Sequence, residues 1–285
     1  MTSAKWNLIV DVANCTNCNN CTLAVHDEHV GNDFPGYAAE MPKHGHKWID
    51  IERRERGQGH AVDVAYLPTM CQHCDDAPCI KAARDGAAYK RDDGIVIIDP
   101  EKSKGQKQIV DACPYGAVFW NAELELPQHW IFDAHLLDTG WKEPRCVSVC
   151  PTGALRAVRA DDATMEQMIA REGLEELHPD LATRPRVHYK NLWRYNRDFV
   201  AGTVSMERDG VSDCLAGAFV TLRCGDDVMG EAATDGFGDF KLDRLLAEGQ
   251  ACMLEISADG FAPFAHDVVL SGSVNLGDIR LVASR

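Results

Sequence analysis

Cysteine carries the chemistry that can be read first. Twelve of the 285 residues are cysteine, at positions 15, 18, 21, 71, 74, 79, 113, 146, 150, 214, 224 and 252. Cys15, Cys18 and Cys21 form a C-x-x-C-x-x-C run, and Cys71, Cys74 and Cys79 form a second triple with a longer second gap. Thiolates at i, i+3 and i+6 converge on one centre, which suits an iron–sulfur cubane better than pairwise disulfide closure. Each triple is one ligand short. Cys113 in CPYGAVFW and Cys150 in CPTGALRAV open an internal repeat of Cys-Pro-x-Gly-Ala followed by an aliphatic residue. Completion of a site by a remote Cys-Pro cysteine is the rule in bacterial two-cluster sequences. Two triples and two Cys-Pro cysteines therefore supply two four-cysteine sites. Structural zinc also accepts four thiolates, and Cys71-x-x-Cys74 alone does not discriminate. The combination of both motif types favours iron–sulfur.

The remaining candidates read more plainly. His73 is packing or support beside Cys74 rather than a ligand, and Pro78, Pro114 and Pro151 shape turns around the thiols. Cys146 has no local partner set and reads as a buried leftover thiol or an alternative ligand. Cys214, Cys224 and Cys252 lie in strand-like sequence and read as small core hydrophobes, a disulfide being disfavoured in a reducing compartment.

These residues need a scaffold. LIVDV leads as a short strand into Cys15, and residues 32–46, rich in Gly, Pro and His, form a loop. HKWIDIERRE is a partly buried strand, VDVAYLPTM delivers the chain to Cys71, and GIVIIDP is a short strand between a glycine and a proline. DDATMEQMIAREGLEEL, from Asp161 to Leu177, has the periodicity of an amphipathic helix. The basic TRPRVHYKNLWRYNRD reads as an extended connector or strap lying against something acidic or a partner. From about Asp198 the texture changes to short alternating runs (FVAGTVSM, GAFVTLR, VMGEAAT, GDFKL, ACMLEIS, HDVVL) separated by turn signals, the pattern of an all-β sandwich. The expected class is α+β, with an iron–sulfur domain over 1–195 and a sandwich over 196–285.

Composition narrows the function. With 29 basic and 44 acidic residues the formal charge is −15, which argues against nucleic acid or an anionic membrane as partner. No window approaches 18 consecutive apolar residues, so no membrane insertion is expected. The start, MTSAKWNLIVDVANC, carries no signal-peptide pattern, and a cytoplasmic location is expected.

The first 160 residues resemble the ferredoxin-like electron-transfer subunits of molybdopterin oxidoreductases. IDIERRERG, DDGIVIIDPEKSKG, CPYGAVFWN, AHLLD and RPRVHYKNL, with the β-rich tail, are similar to the small subunits of pyrogallol–phloroglucinol transhydroxylases. The resemblance covers nearly the whole chain. It implies a ferredoxin-like domain followed by a transthyretin-like or carboxypeptidase-regulatory-like sandwich. It also implies two [4Fe-4S] clusters: Cys15, Cys18, Cys21 and Cys150 would hold the first, and Cys71, Cys74, Cys79 and Cys113 the second. The family plan has four ligand sets. Its other positions fall here at Val25, Ala83, Ser103, Gln106, Ile109, Trp130, Asp133 and Cys146, so a third cluster held by Val25, Trp130, Asp133 and Cys146 is lost. No catalytic residue is expected in this chain. Molybdenum or tungsten with bis-molybdopterin guanine dinucleotide would belong to a large catalytic partner in a heterodimer, acting on polyhydroxybenzenes such as pyrogallol. The rival expectation is the electron-transfer subunit of a net-redox molybdopterin enzyme, such as an aromatic hydroxylase or dehydroxylase.

Overall fold

Leu8, Ile9 and Val10 are apolar toward both sides of a strand, so the segment needs cover on two faces and a neighbour at each edge. The computed structural model, which describes residues 4–208 and 210–284, provides both. Two compact units divide the chain: Met1–Arg53 with Tyr66–Leu192, and Arg54–Ala65 with Trp193–Arg285.

The first unit runs β1 (Lys5–Asp11), α1 (Asn20–His29), the inner ends of the paired strands β2 (Ile49–Gln58) and β3 (Ala61–Met70), α2 (Pro78–Ala82), β4 (Ala88–Lys90), β5 (Val96–Ile98), α3 (Gln108–Asp111), β6 (Phe119–Asn121), β7 (Leu126–Gln128), α4 (Ala134–Asp138), α5 (Arg145–Ser148), β8 (Leu155–Ala160), α6 (Asp162–Glu172) and β9 (Val187–Lys190). Its main sheet has the order β8-β1-β9. β1 is antiparallel to β8, with Val10 opposite Leu155, and parallel to β9. α6 begins where the periodicity predicts: the Asp161 carboxylate accepts from the Thr164 N–H at 2.8 Å, and Gly173 closes the helix with φ 63°.

The second unit holds the β2–β3 tip, α7 (Trp193–Asn196) and β10 (Asp198–Arg208), β11 (Val211–Cys214), β12 (Phe219–Cys224), β13 (Asp227–Ala233), β14 (Asp239–Leu245), β15 (Gln250–Ser257), β16 (Phe264–Leu270) and β17 (Val274–Leu281). One sheet runs β11-β10-β14 with β17 also on β10; the other runs β13-β12-β15-β16. Val200, Val204, Phe240 and Leu242 of the first sheet share a core with Val220, Leu222, Leu254 and Leu270 of the second. At the tip, Gly57 (φ 82°) is required, since a Cβ there would lie 2.1 Å from the Ala61 carbonyl oxygen. The buried Arg56 beside it pairs with Asp63 and with Asp243 at 3.2 Å, and donates to the Arg197 carbonyl at 3.0 Å.

One expectation is overturned here. Cys224 and Cys252 are joined by a disulfide rather than standing as separate core thiols, while Cys214 is free and exposed. The reason is register: Arg223 on β12 lies opposite Met253 on β15, which sets the neighbouring Cys224 and Cys252 side by side. Linear spacing, with the two cysteines 28 positions apart, does not reveal that proximity. Peptide mapping after alkylation in denaturant without reductant is expected to return these two cysteines linked. Recovery of both in alkylated form would contradict the pairing.

Candidate metal centre

The β1–β8 ladder places the first thiol set. β1 ends at Asp11 and runs on to Cys15; β8 starts at Leu155, just after Cys150. Antiparallel pairing, closed by the Asp11 N–H donating to the Ala154 carbonyl at 2.7 Å, brings both cysteine loops to the same sheet end. Cys15, Cys18, Cys21 and Cys150 line one pocket, walled by Ile51, Pro68, Ala154 and Leu155. Cys21 sits in the first turn of α1 and is buried, whereas Cys18 is exposed. Burial and the neighbouring Cys150 and Cys18 raise the Cys15 thiol, and burial raises Cys21 to about 11. Cys150 goes the other way. Burial would raise it, but the backbone amides of Leu155, Thr152 and Ala154 and the Thr152 hydroxyl outweigh that and lower it.

The second set is deeper. β3 ends at Met70, immediately before Cys71, and α2 places Cys79 in its first turn behind Pro78. α3 precedes Cys113. Burial raises Cys71 well above the usual thiol range, with Cys79, Cys113 and Cys74 adding to it; Cys79 is pushed to about 12 by burial, Cys113 and Cys74. These four thiols therefore face one another. Cys74, Cys79 and Cys113 pack with Ala77, Ala87, Val96, Ile98 and Ile109 in an apolar cluster. Each set gathers four sulfurs whose thiolate charges repel, and in the second set Cys71, Cys74 and Cys79 are also poorly solvated, an arrangement that iron neutralises and that a cysteine core alone would not select. The donor chemistry suits [4Fe-4S] ligation.

The Cys-Pro repeat has a common shape. Cys113 follows α3 and Cys150 follows α5; the Cys113 and Cys150 N–H groups donate to Val110 and Val147, both at 3.1 Å. Gly116 and Gly153 then turn with φ 62° and 65°. The Cys-x-x-Cys loops share a signature too. Asn17 and His73, each one residue before the second cysteine, have φ 57° and 45°. Gly105, between Ser103 and Gln106, and Phe132, between Trp130 and Asp133, have φ 74° and 57° at the corresponding place. A left-handed phenylalanine is costly. Gly105 and Phe132 thus repeat the backbone turn of the two Cys-x-x-Cys loops.

The remaining positions are filled. Val25, Trp130, Asp133 and Cys146 are 1%, 0%, 1% and 0% exposed. Burial and the adjacent Asp133 and Cys21 raise the Cys146 thiol far above its usual range. Asp133 accepts from the Arg145 N–H at 2.7 Å and lies 3.6 Å from His29 Nε2, and Trp130 stacks 4.8 Å from Phe132. Ile109 is core, Ala83 is partly exposed, and Gln106 accepts from the Arg84 N–H at 2.8 Å.

Sequence reading missed the groups that brace the second set. Lys90 donates to the carbonyls of His73 at 2.6 Å and Cys74 at 3.1 Å, and pairs with Asp75 at 2.8 Å. Arg186, on the basic strap, pairs with Asp75 and with Asp162 at 2.7 Å. The strap's acidic counterpart thus lies within the same unit.

Residues 62–160 match the 4Fe-4S dicluster domain family. The chain is 42% identical over 280 residues to the pyrogallol hydroxytransferase small subunit of Pelobacter acidigallici, covering 97% of this chain and 99% of that one. It is 31% identical over 211 residues to the iron-sulfur subunit of the putative dimethyl sulfoxide reductase of Halobacterium salinarum, covering 66% and 79%. It is 30% identical over 192 residues to one of the tetrathionate reductase subunits of Salmonella typhimurium, covering 66% and 73%. The chain belongs to the family of 4Fe-4S subunits of molybdopterin oxidoreductases and is an electron-transfer iron–sulfur subunit. Along nearly its full length it is similar to the hydroxytransferase small subunit in particular. Its relatives are small subunits of multi-subunit molybdoenzymes, which implies a catalytic partner. No helix among the described residues is long and apolar enough to cross a membrane.

Proposed function

We propose that the chain is the iron–sulfur subunit of a molybdopterin-dependent hydroxytransferase acting on polyhydroxybenzenes such as pyrogallol. The observation that carries this reading is 42% identity spanning 99% of the Pelobacter acidigallici small subunit, β-rich unit included. The reductase relatives cover only 66% of this chain. Cys15, Cys18, Cys21 and Cys150 hold one [4Fe-4S] cluster, and Cys71, Cys74, Cys79 and Cys113 a second; when bound, each supplies one-electron redox capacity. The chain's own residues exclude water around the second set and leave the first near the surface, where exposed Cys18 and Leu23 mark the face toward a large partner carrying molybdenum or tungsten with its pterins. The two-sheet unit is read as a transthyretin-like module that rigidifies or docks the subunit.

The filled third site supports a shortened relay. Moving a hydroxyl from one ring to another leaves no net electrons to export, so such an enzyme tolerates the loss of a link. The rival, a net-redox oxidoreductase, is favoured by the reductase names among the relatives. Purification of the native complex tests both. About eight iron and eight sulfide are expected in this subunit, with turnover on a polyhydroxybenzene pair and no reduction of an external dye. Dye reduction with a single aromatic would favour the rival, and about twelve iron in this subunit would sink the two-cluster count.

A further inference from the structure

We propose that His73 is a positioning residue for the second cluster, a neutral imidazole whose Nε2–H serves the sulfur side of that cluster next to Cys71. The inference rests on assigning Cys71, Cys74, Cys79 and Cys113 to a [4Fe-4S] cluster. His73 is 1% exposed and lies within the Cys71-Gln72-His73-Cys74 loop at φ 45°. The Val96 N–H donates to its Nδ1 at 3.1 Å. Nδ1 therefore carries no proton, and in the neutral ring Nε2 does. That Nε2 is buried and has no hydrogen-bond partner among the described residues. A buried N–H left unpaired costs about 1–3 kcal/mol, so the position calls for an acceptor.

The surroundings say what the acceptor is. Trp130 and Phe132 present rings 5.5 Å from the imidazole, which offer no lone pair in the ring plane. A ring nitrogen of His73, one of His129 and the Cys71 sulfur lie within 4.8 Å of one another. His129 donates from Nε2 to the Val96 carbonyl at 3.0 Å, which leaves a lone pair on its Nδ1, but no atom of His129 is within hydrogen-bond reach of His73 Nε2. The trio is not a mononuclear metal site, because Val96 fixes the tautomer that leaves His73 Nε2 protonated and unable to ligate. Sulfur charge at the cluster, cysteinyl or inorganic, is the acceptor that remains. Lys90 holds the loop in register through the His73 and Cys74 carbonyls. Hydrogen bonds to cluster sulfur stabilise the more negative, reduced state and raise the potential. The first triple has Asn17 at the equivalent place, its side-chain oxygen accepting from Asn19.

The test is an EPR-monitored redox titration of the native complex, with iron determined on each sample. His73→Asn is chosen because asparagine tolerates a left-handed backbone but is too short to reach; His73→Gln restores a side-chain N–H of comparable reach. In His73→Asn, one of two cluster signals is expected to fall in potential while the other stays. At a fixed ambient potential its reduced-to-oxidised ratio drops about tenfold, a shift of roughly 59 mV. His73→Gln should recover part of it. Unchanged potentials with full iron overturn the proposal. Loss of the second cluster from both variants also overturns it, showing an imidazole that holds the site rather than tunes it. A wild-type complex with only one cluster signal would refute the ligand assignment itself, and the proposal with it.

Discussion

Cys71→Ala is expected to lower iron in the subunit from about eight to about four atoms and to halve its visible absorption, whereas Cys146→Ala leaves both unchanged. The two thiols are matched for burial, at 8% and 0% exposure, so packing loss is comparable. What differs is their company. Cys71 faces Cys79, Cys113 and Cys74, and after burial these neighbours raise the proton affinity of Cys71 further. Cys146 faces Asp133 and Cys21, and the equally buried Val25 and Trp130 carry no sulfur. Burial holds Cys71, Cys74 and Cys79 above the usual thiol range, so loading must expel their protons, and that is favourable only when all four thiolates bind together. Iron and acid-labile sulfide analysis of the purified subunit decides it. Equal iron loss in both variants would mean that Cys146 is a ligand after all.

Asp75→Ala is expected to destabilise the chain by roughly 3 kcal/mol, the cost of breaking a buried ion pair by removing one partner. Asp75 meets Lys90 at 2.8 Å, Lys5 at 3.7 Å and the Arg186 guanidinium, and its N–H donates to the Arg184 carbonyl at 2.9 Å. Arg186 and Lys90 have only 7% and 22% of their side chains exposed, so neither regains full hydration when the carboxylate goes. Burial alone would raise the Asp75 carboxyl; Arg186 and Lys90 outweigh it and hold the group well below the usual carboxylate range. A depressed folded pKa stabilises above the unfolded value, near 4, and that contribution fades as pH falls through the depressed one. The gap between wild type and Asp75→Ala should therefore be full at neutral pH and shrink below about pH 4. Thermal unfolding followed by circular dichroism should show a midpoint lower by about 6–12 °C at pH 7. An unchanged midpoint would mean that the three cations are adequately solvated without it.

Much of the site was legible because it is written in short-range spacing. C-x-x-C-x-x-C, the second triple and the two Cys-Pro-x-Gly-Ala segments each lie within a few residues, and local turns give them their shape. The helix beginning at Asp162 was legible for the same reason, through its cap and its period. β11 and β17 were not read: VSDC is short and polar, and VNLGDIRL carries a glycine and two charges that blur alternation. The Cys224–Cys252 link escaped because it depends on pairing between β12 and β15. Lys90 and Asp75 looked like ordinary surface charges in a chain with 73 charged residues (29 basic and 44 acidic), and the strap holding Arg186 did not reveal which acid it meets.

The sequence by itself determined the ligand chemistry: which residues are soft donors, how many there are, and how the triples and Cys-Pro cysteines are spaced. Tertiary structure decided which remote cysteine lies beside which triple, and which polar groups end up against them. The antiparallel ladder of β1 and β8 joins positions roughly 150 residues apart, and the Val96 amide selects the tautomer of a histidine 23 residues away. Such pairings arise from strand register and burial over the whole unit, where hydrogen bonds must be satisfied together, and no local spacing encodes them.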